Sequence, residues 1–230
     1  PPAATKEDLN STDLVRWTAI FSYLHFNEHE RLSVRNLCRL FHTVLPGPTC
    51  AGVYTMYPHP NHTSLNSLMD RLNEMARVKG SNIPERLFLA NGVHVIEDEY
   101  HGRFGDVVNM VKINIPISII GESREHCIVV GGLRMNGKKE DDVNVSNLTL
   151  RDSKGNGIHG VGGASMHLDN VSEGGGISVR GSKRNTMKNC NVSYSKWSGL
   201  NVYGGLMTID GNATAIHHNG TDGASGSCGL

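Results

Sequence analysis

The sequence has no charge imbalance, few aromatics, no paired cysteines and no long apolar run, and each shortage excludes something. Lys+Arg and Asp+Glu both total 22 in 230 residues. The chain therefore lacks the basic excess of a nucleic-acid or anionic-membrane binder, and neither partner is expected. The five cysteines, Cys38, Cys50, Cys127, Cys190 and Cys228, are odd in number and widely spread. Without a C-x-x-C pair they give neither a disulfide framework nor a zinc site, and reduced thiols in an intracellular setting, cytoplasmic or nuclear, fit best. No stretch approaches the roughly 20 apolar residues of a membrane span. The start, PPAATKEDLN, has no apolar signal core and no initiator Met, which leaves a processed or trimmed start open.

What is abundant is glycine, 27 residues placed mostly after residue 90, against 6% aromatics. That balance favours short strands joined by tight turns over a helical bundle. Asn-X-Ser/Thr triplets recur at Asn10, Asn61, Asn144, Asn147, Asn170, Asn191, Asn212 and Asn219. Most sit in strand-like runs, so they read as a by-product of a structural repeat rather than as glycosylation sites.

Residues 11 to 45 carry apolar residues at helical spacing. Ser11, Thr12 and Asp13 offer N-caps to Leu14, Trp17, Ile20, Phe21 and Leu24, and a second run holds Leu32, Leu37, Leu40, Phe41 and Val44. Leu45-Pro46-Gly47-Pro48 ends this module, which places a helical N-terminal unit at 1–50. Residues 51–82 read as a linker followed by an amphipathic helix from Ser64 to Lys79, with Leu65, Leu68, Met69, Leu72 and Met75 on its apolar stripe. Strand-like runs follow at 86–89, 92–96, 107–120 and 127–130.

After residue 140 the chain repeats itself. Ser146-Asn147-Leu148-Thr149, Asp169-Asn170-Val171-Ser172, Cys190-Asn191-Val192-Ser193 and Gly211-Asn212-Ala213-Thr214 share an Asn-apolar-Ser/Thr pattern whose asparagines lie 23, 21 and 21 residues apart. A period of this size is one solenoid coil, in which short strands return one strand spacing, about 4.8 Å, further along. Residues 83–230 are thus expected to form a parallel β-helix, right-handed by the crossover preference, with the 64–79 helix capping its first coil. Leu148, Val171 and Val192 would stack inside. Asn147, Asn170, Asn191 and Asn212 would form a structural ladder with their amides bonded along the axis. The turn-rich, apolar-poor C-terminus reads as coils that continue in a longer chain.

Two resemblances sharpen this reading. Ile20-Phe21-Ser22-Tyr23-Leu24 followed by Glu30 to Phe41 resembles an F-box over about 35 residues, although the usual Leu-Pro pair at its start is replaced by Thr12-Asp13. Residues 83 to 137, through "LFLANGVHVIE", "INIPISIIGES" and "CIVVGGLRMNG", resemble the opening coils of pectate-lyase-like β-helices. The combination resembles a group of uncharacterised algal and protist proteins. The F-box resemblance implies docking of a Skp-type ubiquitin-ligase subunit through Leu14, Ile20, Phe21, Leu24, Leu37 and Phe41.

Polysaccharide lyases and hydrolases of this fold need gathered carboxylates, and the sequence offers only Asp141-Asp142 inside a charged loop. No catalytic, metal or cofactor residues are therefore assigned. His217-His218 are adjacent, and strand neighbours point to opposite faces, which argues against shared ligation. His159 reads as an outward strand residue, Cys190 as a small core residue, and Gly174-Gly175-Gly176 as a turn. The leading expectation is a non-enzymatic adaptor that tethers a client protein held by the β-helix. Its alternatives are a carbohydrate-binding or polysaccharide-active β-helix, with Tyr194, Trp197 and Tyr203 as stacking residues, and a self-assembling structural scaffold.

Overall fold

A computed structural model describes residues 54–97, 99–101 and 107–221, all within the compact unit Val53–Leu230. The helical unit expected at 1–50, with Leu14, Ile20, Phe21, Leu24, Leu37 and Phe41, lies outside the described residues. The described part is mainly β, a parallel solenoid of about five turns with a single helix.

Strand β1 (Tyr54–Tyr57) and helix α1 (Leu65–Met75) precede the coils. The first coil holds β2 (Arg86–Leu89), β3 (Gly92–Val95), β4 (Glu99–His101) and β5 (Val107–Ile113). The second holds β6 (Ile117–Gly121), β7 (Cys127–Val130) and β8 (Gly132–Asn136). Then come β9 (Asp142–Arg151) with β10 (Ile158–Val161), and β11 (Ser165–Glu173) with β12 (Ile177–Arg180). The last described coils hold β13 (Asn185–Lys188), β14 (Asn191–Ser193), β15 (Leu200–Tyr203), β16 (Met207–Asp210) and β17 (Ala215–His217). The single strand expected over 107–120 is two, because Pro116 brings no N–H to a ladder where the chain turns between faces.

These strands form three faces. Face one runs β1-β2-β6-β9-β11-β13-β16. Face two runs β3-β7, the second halves of β9 and β11, then β14-β17, and the long strands β9 and β11 join it to face one. Face three runs β5-β8-β10-β12-β15, with β4 added antiparallel to β5. Alternate residues point inward and stack. Leu87, Ile119, Val145, Leu168, Met187 and Ile209 form one file. Leu133, Ile158, Ile177 and Leu200 form another. Each fully buried aliphatic contributes about 1.5–3 kcal/mol, so these files hold the coil together. In the last described coil the inward positions open: Ile209, at the end of the first file, is 47% exposed, and Val202, which lies over Val179, is 37% exposed.

The bend between faces one and two carries an amide file. Asn147 and Asn170 both take φ 55°, and the Asn170 Nδ2 donates to Asn147 Oδ1 at 2.9 Å. The next member is Asn189 (φ 52°), beyond Lys188, which is paired with Asp169, and then Gly211 (φ 87°). Two expected members of the ladder are therefore corrected. Asn191 pairs with Ser172 on face two, and Asn212 falls in the turn before β17. The coil between Asn170 and Asn189 is 19 residues rather than 21, so the register slips by two. The inner stack slips with it: Val192 lies over Glu173, not over Val171.

Helix α1 begins where Ser64 Oγ accepts the Ser67 N–H at 3.1 Å, a side-chain N-cap. Its face of Leu65, Leu68, Met69 and Leu72 joins the solenoid core. Asn73, buried, donates Nδ2 to the Lys112 carbonyl at 2.9 Å and accepts the Asn114 N–H on Oδ1 at 3.0 Å, fixing the helix to the end of β5.

Candidate functional site

With the core files fixed by pairing, the outward residues fall into columns at the strand spacing, and the columns rather than any sequence motif define the surface chemistry. On face three one column is Lys112, Arg134, His159, Ser178 and Asn201. The neighbouring column holds Asn136, Val161 and, through Tyr203, Arg180. Neither column contains an acidic residue. His159 stands in the middle, with its pKa lowered first by burial and then by the guanidinium groups of Arg134 and Arg180. Its Nε2 is buried without a hydrogen-bond partner. A neutral imidazole flanked by two cations thus forms the centre of a positive face on a chain of zero net charge. Sequence reading placed His159 outward, which is its strand parity, but could not place the arginines beside it.

Face two carries a shallow groove of about 460 Å³ lined by Arg124, Glu125, Thr149, Ser172, Asn191 and His217 among others. Its floor is the column Thr149, Ser172, Asn191 and Ala215, about 14 Å long at the usual strand spacing. The small side chains make the depression, and their hydroxyl and amide groups line it. At its far end the exposed Tyr194 ring stacks on His218 with centroids 5.5 Å apart and planes 13° apart. Trp197 and Tyr203 are also exposed, but Tyr203 belongs to face three, so the three aromatics do not share one surface.

Face one gathers a hydroxyl, an imidazole and a carboxylate. Thr186 Oγ1 lies 2.9 Å from His167 Nδ1, and His167 Nε2 lies 3.5 Å from Asp142 Oδ1. The order resembles a nucleophilic relay, but Arg184 Nη2 claims the same Asp142 oxygen at 3.0 Å, and all of it sits on a solvated sheet. We read this as a surface ion-pair network. It also moves Asp142 out of the solvated loop expected for 138–142: Asp142 opens β9, while Asp141 Oδ2 accepts the Lys138 N–H at 2.7 Å in the turn before it.

One titratable group is inside. Glu173 points into the core between Leu150 and Val192, 2% exposed. Burial raises its pKa to about 7, against the lowering effect of the Gly175 and Gly176 N–H groups. Its Oε1 accepts the Gly175 N–H, and its Oε2 has no partner. Cys127 and Cys190 are buried free thiols with pKa values raised by burial, Cys127 to about 12, which makes them poor nucleophiles.

Among the described residues no group of three or more His, Cys, Asp or Glu is gathered, and no helix is long and apolar enough to cross a membrane. No family model matches the chain, and neither does any curated protein or solved structure.

Proposed function

We propose that the chain is a protein-interaction adaptor whose solenoid is a right-handed, pectate-lyase-like β-helix and whose face three binds an acidic client. The observation that carries this reading is the pair Arg134 and Arg180 flanking the neutral His159, in columns that hold no acidic residue. A rigid in-register sheet holds the cations in place before the partner arrives, so little ordering cost falls on binding, and their charge steers an acidic segment onto the face. Residues 1–50, F-box-like, dock a Skp-type ubiquitin-ligase subunit through Leu14, Ile20, Phe21, Leu24, Leu37 and Phe41, and tethering does the rest. The setting is intracellular, cytoplasmic or nuclear, a reading supported by the free thiols of Cys127 and Cys190.

The test uses the full chain against a Skp-type protein and against a polyglutamate peptide. Co-precipitation of the first and salt-sensitive binding of the second are expected, with the peptide affinity falling at least tenfold in Arg134→Glu/Arg180→Glu. Failure of the folded chain to bind the Skp-type protein removes the tether. An unchanged peptide affinity in the double reversal removes the client face.

A second reading, carbohydrate binding, is favoured by the groove of face two. Its row of Thr149, Ser172 and Asn191 offers hydrogen-bonding groups about 4.8 Å apart beside the exposed Tyr194 ring. Titration with neutral and acidic oligosaccharides, repeated on Tyr194→Ala, tests it.

A further inference from the structure

Neighbouring residues on a regular strand point to opposite faces, and on that ground His217 and His218 read as unable to share a ligand. The backbone overturns the premise. Strand β17 ends at His217, and His218 takes the left-handed conformation, φ 52°. That turn swings its ring to the side of its predecessor, and the two Nδ1 atoms come within 2.5 Å of one another.

Each ring is also held by a separate support. His217 Nε2 lies 2.8 Å from Asn191 Oδ1. An amide oxygen only accepts, so this bond places the hydrogen on Nε2 and leaves Nδ1 with a lone pair facing His218. The His218 ring is stacked on Tyr194, itself in left-handed backbone at φ 58°. The arrangement is that of a metal-binding histidine: one nitrogen free, the other fixed by an outer hydrogen bond.

We propose that His217 and His218 form a two-imidazole chelate for a first-row divalent transition metal, with copper(II) bound above nickel(II) and zinc(II). Metal–nitrogen bonds of about 2.0–2.1 Å at a right angle need nitrogens roughly 2.9 Å apart, so the rings need spread only a few tenths of an ångström. Imidazole suits all three metals, and copper(II) heads the usual order of affinity. The hydrogen that joins the two Nδ1 atoms in the metal-free chain moves to His218 Nε2 if that ring is neutral, or leaves to solvent if it is charged. His218 is exposed and His217 lines the end of the face-two groove. The remaining coordination positions therefore face water, where a ligand lying in the groove can reach them. The proposal stands on this geometry alone and does not depend on the adaptor reading.

The probe is copper(II) itself, titrated into the full chain with glycine as competing chelator, followed by calorimetry and electron paramagnetic resonance. One site tighter than the glycine background is expected, with hyperfine structure from two nitrogens. His218→Ala, an exposed position whose loss leaves the core files untouched, weakens that site at least tenfold. Asn191→Leu weakens it about tenfold while keeping both ligands, the size of effect seen when an outer hydrogen bond to a metal ligand is lost. The proposal is overturned if His217→Ala/His218→Ala keeps the same tight site, which would put copper on others of the 12 histidines. It is equally overturned if the intact chain holds copper no tighter than glycine does.

Discussion

Asn170 and Asn147 sit one coil apart in the same left-handed conformation, φ 55°, joined by a side-chain bond of 2.9 Å. The relationship explains the residue type. An L-residue with a Cβ loses roughly 1–2 kcal/mol in this region, and asparagine is among the few that visit it routinely. The amide then satisfies its neighbour along the axis, worth about 1 kcal/mol net. Asn170→Ala loses both terms, for an expected cost of about 2–3 kcal/mol, while Asn170→Gly recovers the backbone and loses only the bond. Urea unfolding should rank wild type above Gly above Ala. An alanine variant as stable as wild type would show that the bend needs neither.

The repeat was legible because its period is carried by this bend, but only over the first step. Lys188-Asn189-Cys190-Asn191 contains two asparagines, and Asn191, followed by Val-Ser, matches the motif better. The pairing selects Asn189 because the bend needs its left-handed residue there, and Cys190 then enters the inner file above Val171. Glu173 escaped notice for a different reason: alternation gives it the inward parity of Val171, but a charged residue directly before Gly174-Gly175-Gly176 reads as the start of a turn rather than as the end of β11. Surface columns are illegible in principle. Arg134, His159 and Arg180 lie 25 and 21 residues apart, and whether they meet depends on coil lengths that local pattern does not fix. The same holds for His217 and His218, whose shared side rests on one backbone angle.

The buried carboxyl makes stability depend on pH. The Glu173 pKa is raised from 4.5 to about 7, so the folded chain holds its proton where the unfolded chain has released it. Its contribution is complete below about 4.5, falls as pH rises towards 7 and levels off above, on the order of 3 kcal/mol in all. His94 and His159 act with the opposite sign. Burial lowers both, so their contribution is present above the ordinary imidazole value of 6.5 and lost as pH falls through their folded values. Glu173→Gln keeps the shape and removes the charge, and should abolish the loss between pH 5 and pH 8 in thermal or urea unfolding. A variant with the wild-type slope would sink this assignment.

Gly157 is glycine because of Glu173. A Cβ at 157 would lie 1.5 Å from Glu173 Oε1 and 2.4 Å from its Cδ. The backbone is not in the left-handed region there, so the exclusion is one of space. Gly157→Ala should therefore destabilise by about 1–3 kcal/mol, the usual range for overpacking a closed core. Made in a Glu173→Ala background, the same substitution should cost at least about 1 kcal/mol less. A double-mutant cycle by urea unfolding reads the difference, and additivity would place the obstruction elsewhere.

Asn73 is the joint between helix and solenoid, since one buried amide closes the Lys112 carbonyl and the Asn114 N–H together. These two backbone groups stand where β5 ends and the chain turns toward β6, so the helix supplies what the sheet no longer can. Asn73→Leu keeps apolar bulk but leaves both groups unpaired, at a cost of about 2–4 kcal/mol. The apolar face of Leu65, Leu68, Met69 and Leu72 should hold the helix near its place, so the loss is expected as local opening rather than global collapse. Amide exchange across Leu65–Met75 should accelerate at least tenfold in Asn73→Leu, while exchange in β9 and β11 stays at the wild-type rate. Unchanged exchange in the helix would mean that its apolar face alone fixes it to the first coil.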